Sequence, residues 1–360
     1  MLGPLLLGAG AVLGRWWPLG ESTKAYHEAG SARPQPETAE VPVAPGALPS
    51  LAPIVQRIAR GVVGVRTLLE PGAGDRMTGT GFVIHSTGLI LTNQHVVAGN
   101  LMIVVEVPGC GRIEADVVGE DAITDLAVLR LREVPEGLTV LKLAASEQVQ
   151  PGDWVMTVSN PFEFRHTIAV GIVSYVGRHL LETEAPVTNE FLQIAAPAYP
   201  GASGGPVVDM QGHVVGVTRR ALTDGPGISF AVPSKVVKWV LDSMERNQGK
   251  VRRGYLGLGL VPLPQPRSES LSGSRSGGAL IDAVEPGQAA ERAGLRKGDV
   301  ILAWNGRLLD NPSDLHDWIT CSPPGTTAEI EFLRDGVRQP PLRVTLDEVK
   351  PPHGRQAIKD

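Results

Sequence analysis

The chain has 360 residues, of which 42% are hydrophobic, which is enough to bury a sizeable core and to form two domains. A formal net charge of −5 and a pI near 5.9 argue against a nucleic-acid-binding protein, which needs a basic surface. Aromatic residues are scarce at 4%, whereas 43 glycines and 30 prolines favour many short strands and turns over a helical bundle.

The N-terminal segment, residues 1–20, is apolar up to Leu13 and then carries Trp16 and Trp17. It falls short of the roughly 20 apolar residues that cross a bilayer, and it lacks the basic start of a secretory signal. We interpret it as a signal or membrane anchor, with a wrongly assigned start or a disordered apolar terminus as the alternative. Residues 21–50, rich in Ala, Pro, Glu and Ser, predict a flexible linker.

Residues 51–246 predict a β-rich domain between two helices. Apolar residues recur at helical spacing over Leu51–Arg60 and again over Ser234–Met244. Apolar runs between them are separated by turn residues and predict strands at Val62–Leu69, Gly79–Ile84, Met102–Val107, Ile113–Val118, Leu126–Leu131, Val155–Val158, Thr167–Ser174, Pro206–Asp209 and His213–Thr218.

Three polar residues of this domain each adjoin a strand-like run. His95 lies in Thr-Asn-Gln-His-Val-Val, Asp125 in Thr-Asp-Leu-Ala-Val-Leu, and Ser203 in Gly-Ala-Ser-Gly-Gly-Pro. The order His, Asp, Ser is that of the chymotrypsin-like triad. A serine hydroxyl needs an adjacent base, a histidine can accept and return the proton near neutral pH, and a buried aspartate orients that histidine.

The glycines around the serine point to a second catalytic element. They allow backbone N–H groups to converge on one point, where a developing oxyanion can be held. We predict that this oxyanion hole is formed by Gly201, Ala202 and Ser203.

The three segments resemble the triad segments of the HtrA (Deg) serine proteases, and the similarity extends from about Gly79 to about Leu346. The resemblance implies His95 as general base, Asp125 as its orienting acid and Ser203 as nucleophile. The implied fold class is mainly β: a two-barrel chymotrypsin/trypsin-like protease domain followed by a small α+β PDZ domain.

Several positions depart from the pattern of the family. They lie at the start of the domain, around an Asn-Pro-Phe segment and before the serine: Thr80, Ser159, Glu163, Ala195, Tyr199 and Ala202. Most of these departures leave the triad untouched but could alter the loops around it. The alternative function is therefore a catalytically impaired HtrA-like chaperone or peptide-binding scaffold.

The stretch Gly227–Pro233 resembles the segment that lines the primary specificity pocket, which assigns Ile228, Ser229 and Phe230 to that pocket. Six positions before the serine, trypsin-like enzymes that cleave after Lys or Arg carry an acid, whereas this chain has Pro197. We therefore predict cleavage after small or medium aliphatic residues such as Val, Ala or Leu.

A second domain is predicted over residues 254–346, with a disordered tail over 347–360. Its opening residues resemble the carboxylate-binding loop of a PDZ domain: Tyr255, Leu256, Gly257 and Leu258. Such a loop captures a C-terminal carboxylate while the peptide adds as a strand to the sheet edge. Three apolar residues at helical spacing are candidates for the groove or for the core: Leu315, Trp318 and Ile319.

The resemblance also implies partners and a location. The expected activity is ATP-independent endopeptidase cleavage of unfolded or damaged proteins, with C-terminal peptides bound at the PDZ domain and with neither metal nor other cofactor. A protease of narrow specificity is a further alternative. A homotrimer is the usual assembly, although no aromatic residue lies between Tyr26 and Phe82 to make the usual contact. The implied location is the cell envelope or periplasm, or the mitochondrial intermembrane space in a eukaryote.

Overall fold

The computed structural model describes residues 50–68, 76–144, 146–160, 166–178, 191–221, 227–263 and 277–349. The predicted signal or anchor at 1–20, the linker before residue 50, Glu163 and residues 350–360 lie outside these ranges. Of the helices that the structure describes, none combines the length and the apolar character that a bilayer crossing requires.

The first part of the β-rich domain is a closed, antiparallel, six-stranded barrel. The chain enters it through helix α1 (Ala52–Ala59) and includes the short helix α2 (Gln94–Val97). Its strands are β1 (Val62–Leu68), β2 (Arg76–His85), β3 (Leu89–Thr92), β4 (Met102–Val107), β5 (Gly111–Asp121) and β6 (Leu126–Leu131). They close in the order β1-β2-β3-β6-β5-β4, around a core rich in β-branched residues.

A second closed barrel follows, and it is packed against helix α3 (Ser234–Arg246). Its strands are β7 (Trp154–Ser159), β8 (Thr167–Arg178), β9 (Phe191–Ile194), β10 (Pro206–Val208), β11 (Val214–Ala221) and β12 (Ser229–Pro233). They close in the order β10-β11-β12-β9-β8-β7.

One large hydrophobic cluster joins the two barrels. It contains Phe82 and Leu126 from the first barrel, Met156 and Phe230 from the second, and Val237 from α3. All five side chains are buried. Both barrels are closed, and they share this hydrophobic cluster. The loops of both barrels are therefore held at fixed positions along the interface between them.

The C-terminal part forms a smaller α+β domain. Its helices are α4 (Ala289–Ala293) and α5 (Pro312–Thr320). Its strands are β13 (Gly254–Tyr255), β14 (Leu258–Pro262), β15 (Ala279–Val284), β16 (Val300–Trp304), β17 (Arg307–Leu308), β18 (Thr327–Arg334), β19 (Val337–Arg338), β20 (Leu342–Thr345) and β21 (Asp347–Glu348). Strands β14-β15-β16-β18-β19 form the main sheet, with β17 on β16 and β20 on β18, and β13 pairs with β21. The predicted fold class is thereby confirmed.

The end of this domain differs from the prediction of a disordered tail after residue 346. Asp347 and Glu348 form strand β21 opposite Tyr255 and Gly254. Their carboxylates pair with arginines, Asp347 with Arg292 at 2.6 Å and Glu348 with Arg252 at 2.6 Å. The ordered domain therefore continues past the predicted boundary at residue 346. The sequence suggested a polar tail, but in the fold two arginines pair with these acids.

A buried ion pair ties the start of the second domain to the first barrel. Arg253 and Asp121 are both buried, and their side chains make two hydrogen bonds of 2.9 and 2.7 Å. The Arg253 guanidinium also lies over the Trp239 ring at 5.1 Å from its centroid. Asp121 is thus a buried structural acid, because this distant arginine neutralises its charge.

Candidate active site

His95 is presented by helix α2, directly after strand β3. Val96 and Val97 beside it are buried in the core of the first barrel, which anchors the short helix. The His95 side chain remains 51% exposed. The apolar residues that follow the histidine in the sequence thus fix the backbone while the imidazole stays accessible.

Asp125 sits between β5 and β6 in a backbone conformation that is unusual for a non-glycine residue. Its φ is +58°, in the left-handed region. Its carbonyl accepts hydrogen bonds from Asn93 Nδ2 at 2.8 Å and from the Gln94 amide at 3.1 Å. These bonds from the histidine loop hold the strained residue in place, as is common at active sites.

The Asp125 carboxylate is buried against His95. It accepts from the His95 amide at 2.9 Å and faces His95 Nδ1 at 2.8 and 3.0 Å. An ionised carboxylate only accepts hydrogen bonds, so this geometry assigns the proton to Nδ1 and leaves Nε2 free to act as a base. In this arrangement Asp125 can orient the His95 ring.

Ser203 lies in a turn that only glycine permits at two positions. Gly201 and Gly204 have φ values of +93° and +83°. A Cβ on Gly204 would come within 2.2 Å of the Thr80 carbonyl oxygen. The Ser203 hydroxyl donates to the Arg219 carbonyl at 3.3 Å, and among the described residues it has no hydrogen bond to His95. Such catalytic bonds often tighten only when substrate is bound.

The amides of the serine turn separate into engaged and available donors. The Ala202 N–H donates to the Tyr199 carbonyl at 2.8 Å, so it is engaged in this structure and does not join the predicted oxyanion hole. The amides of Gly201 and Ser203 have no acceptor among the described residues. These two N–H groups are therefore the available donors for an oxyanion.

Arg219 of strand β11 is a site residue that the sequence did not single out. Its Nε lies 3.3 Å from Asp125 Oδ2, and its carbonyl accepts the Ser203 hydroxyl. Its guanidinium lies over the Phe191 ring at 5.1 Å. Because Arg219 contacts both Ser203 and Asp125, it joins the two ends of the proposed triad. The local signal in the sequence is a pair of arginines, Arg219 and Arg220, near the end of a strand whose first half is apolar.

The predicted pocket residues occupy strand β12 and the position before it. Ser229 is fully buried and its hydroxyl donates to the Ala196 carbonyl at 2.7 Å. Phe230 is buried and packs edge-on against Phe191, with ring centroids 6.4 Å apart. Ile228 is half-buried. Of the three residues only Ile228 is partly accessible, and the one hydroxyl of the segment is already engaged.

The predicted carboxylate-binding loop connects β13 to β14. Gly257 has φ +74°, and a Cβ there would lie 2.5 Å from the Gln288 side chain. The carbonyls of Leu256 and Gly257 accept hydrogen bonds from other parts of the domain, whereas their amides have no acceptor among the described residues. Leu256 is buried in the core, and Leu258 begins β14. The two amides are thus available for a carboxylate.

Tyr255 precedes that loop and is paired with an acid. Its hydroxyl donates to Glu285 Oε1 at 2.5 Å. Burial, together with this hydrogen bond and the nearby negative charge, raises the pKa of Tyr255 to about 12. The phenol is therefore neutral at physiological pH. As a hydrogen-bond donor to Glu285 it stabilises the start of the carboxylate-binding loop.

The helix α5 residues divide between core and surface. Leu315 and Ile319 are buried in the core of the second domain. Trp318 is only partly buried and lies under the Arg307 guanidinium, 4.4 Å from the ring centroid. Of the three candidates for the groove, two are therefore core residues, because the helix turns its i and i+4 positions inward.

Sequence comparison identifies two known domains in the chain. Residues 79–217 match the trypsin-like peptidase domain, and residues 280–334 match the PDZ domain. A probable periplasmic serine endoprotease DegP-like from Chlamydia trachomatis is 35% identical over 297 residues, covering 81% of this chain and 58% of that protein. A protein of the same description from Marinomonas sp. is 36% identical over 283 residues, covering 77% and 58%. The chain thus spans less than two thirds of the length of these curated relatives.

Solved structures give the same assignment over nearly their whole length. The HtrA-type protease AlgW with tripeptide is 32% identical with a TM-score of 0.73, and the match covers 85% of this chain and 99% of that one. The serine endoprotease from Yersinia pestis is 28% identical with a TM-score of 0.63, and the match covers 84% and 100%.

Proposed function

The chain belongs to the HtrA-type proteases, and on this premise we propose that it is an ATP-independent serine endopeptidase of unfolded or damaged proteins. The observation that carries the proposal is the buried Asp125 carboxylate, which holds His95 Nδ1 at 2.8 Å while Arg219 links that carboxylate to Ser203. An orienting acid, a base and a nucleophile are what acyl transfer requires.

The proposed reaction proceeds through an acyl-enzyme. Ser203 Oγ attacks the scissile carbonyl carbon while His95 Nε2 takes the hydroxyl proton, and the resulting oxyanion accepts hydrogen bonds from the Gly201 and Ser203 amides. The C–N bond then breaks as His95 returns the proton to the leaving amine. Water, deprotonated by His95, attacks the ester and releases the acid product, which regenerates the serine hydroxyl.

The proposed specificity is for small or medium aliphatic residues on the acyl side of the cleaved bond. Ile228 contributes accessible apolar surface, Phe230 is part of the apolar core, and the Ser229 hydroxyl is satisfied by the Ala196 carbonyl. Pro197 offers no carboxylate to a basic side chain. An apolar wall without a charge favours Val, Ala or Leu over Lys or Arg.

We further propose that the second domain binds C-terminal peptides. The amides of Leu256 and Gly257 are available to a carboxylate, and β14 lies at the edge of its sheet, where a peptide strand can be added. The structure of one relative, the HtrA-type protease AlgW, was determined with a decapeptide and with a tripeptide. This supports peptide binding as a property of the family and, by proposal, of this chain.

Self-association as a homotrimer is supported by exposed apolar residues on the second barrel. Trp154 is 53% exposed and stands opposite Ile172 in the β7–β8 ladder, next to the exposed Val170. Apolar neighbours of this kind commonly mark a protein interface. Light scattering after size exclusion tests the proposal with Trp154→Asp, which should convert a trimer to a monomer. A wild-type chain that runs as a monomer would exclude it.

The proposed location is the periplasm, with attachment to the membrane through residues 1–20. The support comes from relatives described as periplasmic and from the apolar composition of that segment. Fractionation of cells that express the chain, before and after removal of residues 1–20, tests both parts. A chain recovered with the cytoplasmic fraction would contradict the location.

The activity is tested by β-casein hydrolysis and fluorophosphonate labelling of the chain beside Ser203→Ala. Labelling and hydrolysis that both vanish in Ser203→Ala are the expected result. Labelling without hydrolysis would indicate a latent enzyme or one of narrow specificity, and cleavage of one folded partner but not of casein would favour narrow specificity. A wild-type chain that neither labels nor cleaves would favour the alternative function, a catalytically impaired chaperone or peptide-binding scaffold.

A further inference from the structure

Thr80 is a fully buried threonine of strand β2 that connects the first barrel to the serine turn of the second. Its amide donates to the Ser203 carbonyl at 2.8 Å, and its hydroxyl donates to the Gly201 carbonyl at 2.6 Å. Thr80, a residue of the first barrel, is thus hydrogen-bonded to the serine turn on both sides of Ala202.

The hydroxyl of Thr80 also accepts a hydrogen bond, from the Asn160 amide at 3.0 Å. A hydroxyl has a single hydrogen, and an amide can only donate. The Asn160 contact therefore forces the Thr80 hydrogen toward the Gly201 carbonyl. The result is a directed chain, from the Asn160 N–H through the Thr80 hydroxyl to the Gly201 carbonyl, in which each bond strengthens the next.

This series of hydrogen bonds continues from Asn160 to His166. Asn160 is buried at the end of β7, and its Oδ1 accepts from the His166 amide at 2.9 Å. On the other side, the Thr92 hydroxyl donates to the Thr80 carbonyl at 2.7 Å, just before the histidine helix. Thr80 is therefore held from both barrels before it acts on the serine turn.

The two available oxyanion donors differ in how firmly they are held. The peptide unit that carries the Ser203 N–H is fixed, because its carbonyl, on Ala202, accepts from the Gly205 amide at 3.0 Å and a peptide unit is planar. The Gly201 N–H belongs to a glycine with φ +93°, whose backbone rotates easily. The Gly201 carbonyl belongs to the next peptide unit, which is held at the carbonyl by the Thr80 hydroxyl and at the Ala202 N–H by the Tyr199 carbonyl. Thr80 therefore restrains the backbone on the C-terminal side of Gly201, next to the N–H that is available to an oxyanion.

We propose that Thr80 is a positioning residue for the oxyanion hole, whose hydroxyl transmits the placement of Asn160 to Gly201 and so aims the Gly201 N–H. This rests on the proposed endopeptidase function and adds a residue that does not contact the substrate. Loss of the hydroxyl removes one of the two hydrogen bonds on the Gly201–Ala202 peptide unit. Gly201 should then be held less firmly, so that its N–H is misplaced for part of the time.

The test compares Thr80→Val, which keeps the shape and removes the hydroxyl, with Thr80→Ser, which keeps the hydroxyl, in the full chain. For a quenched peptide with Val at the cleaved position, Thr80→Val should lower kcat by roughly 10- to 100-fold, because loss of a whole oxyanion donor costs about 100- to 1000-fold. KM should change by less than about twofold, since ground-state binding is untouched. Thr80→Ser should stay within about threefold of the wild type.

A peptide aldehyde provides a readout that a merely structural role would not move. Its adduct with Ser203 carries an oxyanion, so Thr80→Val should weaken inhibition by the same factor as it lowers kcat/KM. Equal losses in Thr80→Val and Thr80→Ser would overturn the proposal, as would a Thr80→Val enzyme with unchanged kcat. Should Thr80→Val not fold, Thr80→Ala replaces it in the same comparison.

Hydrogen exchange of the turn decides the matter independently of turnover. The hydrogen-bonded amides of the turn, those of Ala202, Gly204 and Gly205, should exchange at least about tenfold faster in Thr80→Val than in Thr80→Ser, because one of the bonds that hold the turn is lost. Unchanged exchange would overturn the proposal. A wild-type chain that fails to label with fluorophosphonate would instead count against the endopeptidase function, while the exchange comparison would still judge the role of Thr80.

Discussion

The Arg219 guanidinium donates from Nε to Asp125 Oδ2 at 3.3 Å, and the same carboxylate oxygen faces His95 Nδ1 at 2.8 Å. Asp125 Oδ2 is thus an acceptor that the Arg219 guanidinium and the His95 imidazole share. Strand β11 supplies the arginine from 94 positions further along the chain.

Replacing Arg219 with Gln should reduce catalysis without abolishing it. The carboxylate would keep its hydrogen bonds to the His95 amide and ring and lose one bond to a charged donor, worth on the order of 1.5–3 kcal/mol. We expect kcat/KM to fall by about 10- to 100-fold, against about 10,000-fold in kcat for Asp125→Asn. Arg219→Lys, which keeps the charge, is the matched control. A loss in Arg219→Gln as large as that in Asp125→Asn would contradict this auxiliary role.

Breaking the Arg253–Asp121 pair should destabilise the protein. Both residues are buried, so Arg253→Met leaves an uncompensated buried carboxylate, which typically costs about 3–5 kcal/mol. The double variant Asp121→Leu/Arg253→Met removes both charges and should recover part of the loss. It should not recover all of it, because the buried Thr124 amide and hydroxyl lose their acceptor on Asp121. Urea unfolding of the wild type, Asp121→Leu, Arg253→Met and the double variant gives the coupling. Single variants that unfold at the same urea concentration as the wild type would refute the expectation.

The Gly204 position should not tolerate a methyl group. An alanine there would place Cβ 2.2 Å from the Thr80 carbonyl oxygen and 2.4 Å from Thr92 Oγ1, in addition to the strain of φ +83°. Gly99→Ala is the matched control, because Gly99 has φ +70° but no atom within 4 Å of the added Cβ. The control should lose about 1–2 kcal/mol from backbone strain alone. Gly204→Ala should lose more than this in unfolding experiments and should also lose fluorophosphonate labelling. Equal effects of the two changes would argue against the close packing of the serine turn.

Cleavage of a peptide library should show a preference for aliphatic residues. Two substrates that differ only in Val or Arg at the cleaved position give the sharpest comparison. We expect at least about a tenfold higher kcat/KM for Val, because burying an unpaired guanidinium in an apolar pocket is unfavourable. A dominant preference for Arg or Lys would mean that a carboxylate reaches the pocket from a residue other than Pro197.

Tyr255 predicts a specific alkaline transition. Its pKa is raised to about 12, above the ordinary value of 10, so folding favours the neutral phenol. The resulting stabilisation is fully present below pH 10 and is lost as the pH rises from 10 to 12. Ultraviolet titration should show one tyrosine ionising late, and Tyr255→Phe should remove that step. Tyrosines that all ionise near pH 10 would show that the contact with Glu285 is absent in solution.

Local patterns were sufficient to predict the elements and the chemistry. Alternating apolar runs between glycine-rich turns predicted the barrel strands, most of them within a few residues of their observed bounds, because strand periodicity is a property of neighbouring residues. The predicted segment Leu51–Arg60 is helix α1 (Ala52–Ala59), and the closing helix runs two residues further than predicted, to Arg246. The residue types around His95, Asp125 and Ser203 indicated the triad for the same reason. Each residue of the triad lies in a short motif that can be recognised without knowledge of distant contacts.

By itself, then, the sequence determined the two-barrel class, the PDZ domain and the identity of the three candidate catalytic residues. Only the tertiary structure decided which neighbours those residues have. The barrel registers bring Arg219 to Asp125 and Thr80 to Gly201, and the turn engages the Ala202 amide with Tyr199. Hydrogen bonds between residues far apart in the chain depend on how closed sheets pack along their seam, which no local pattern of residue types encodes.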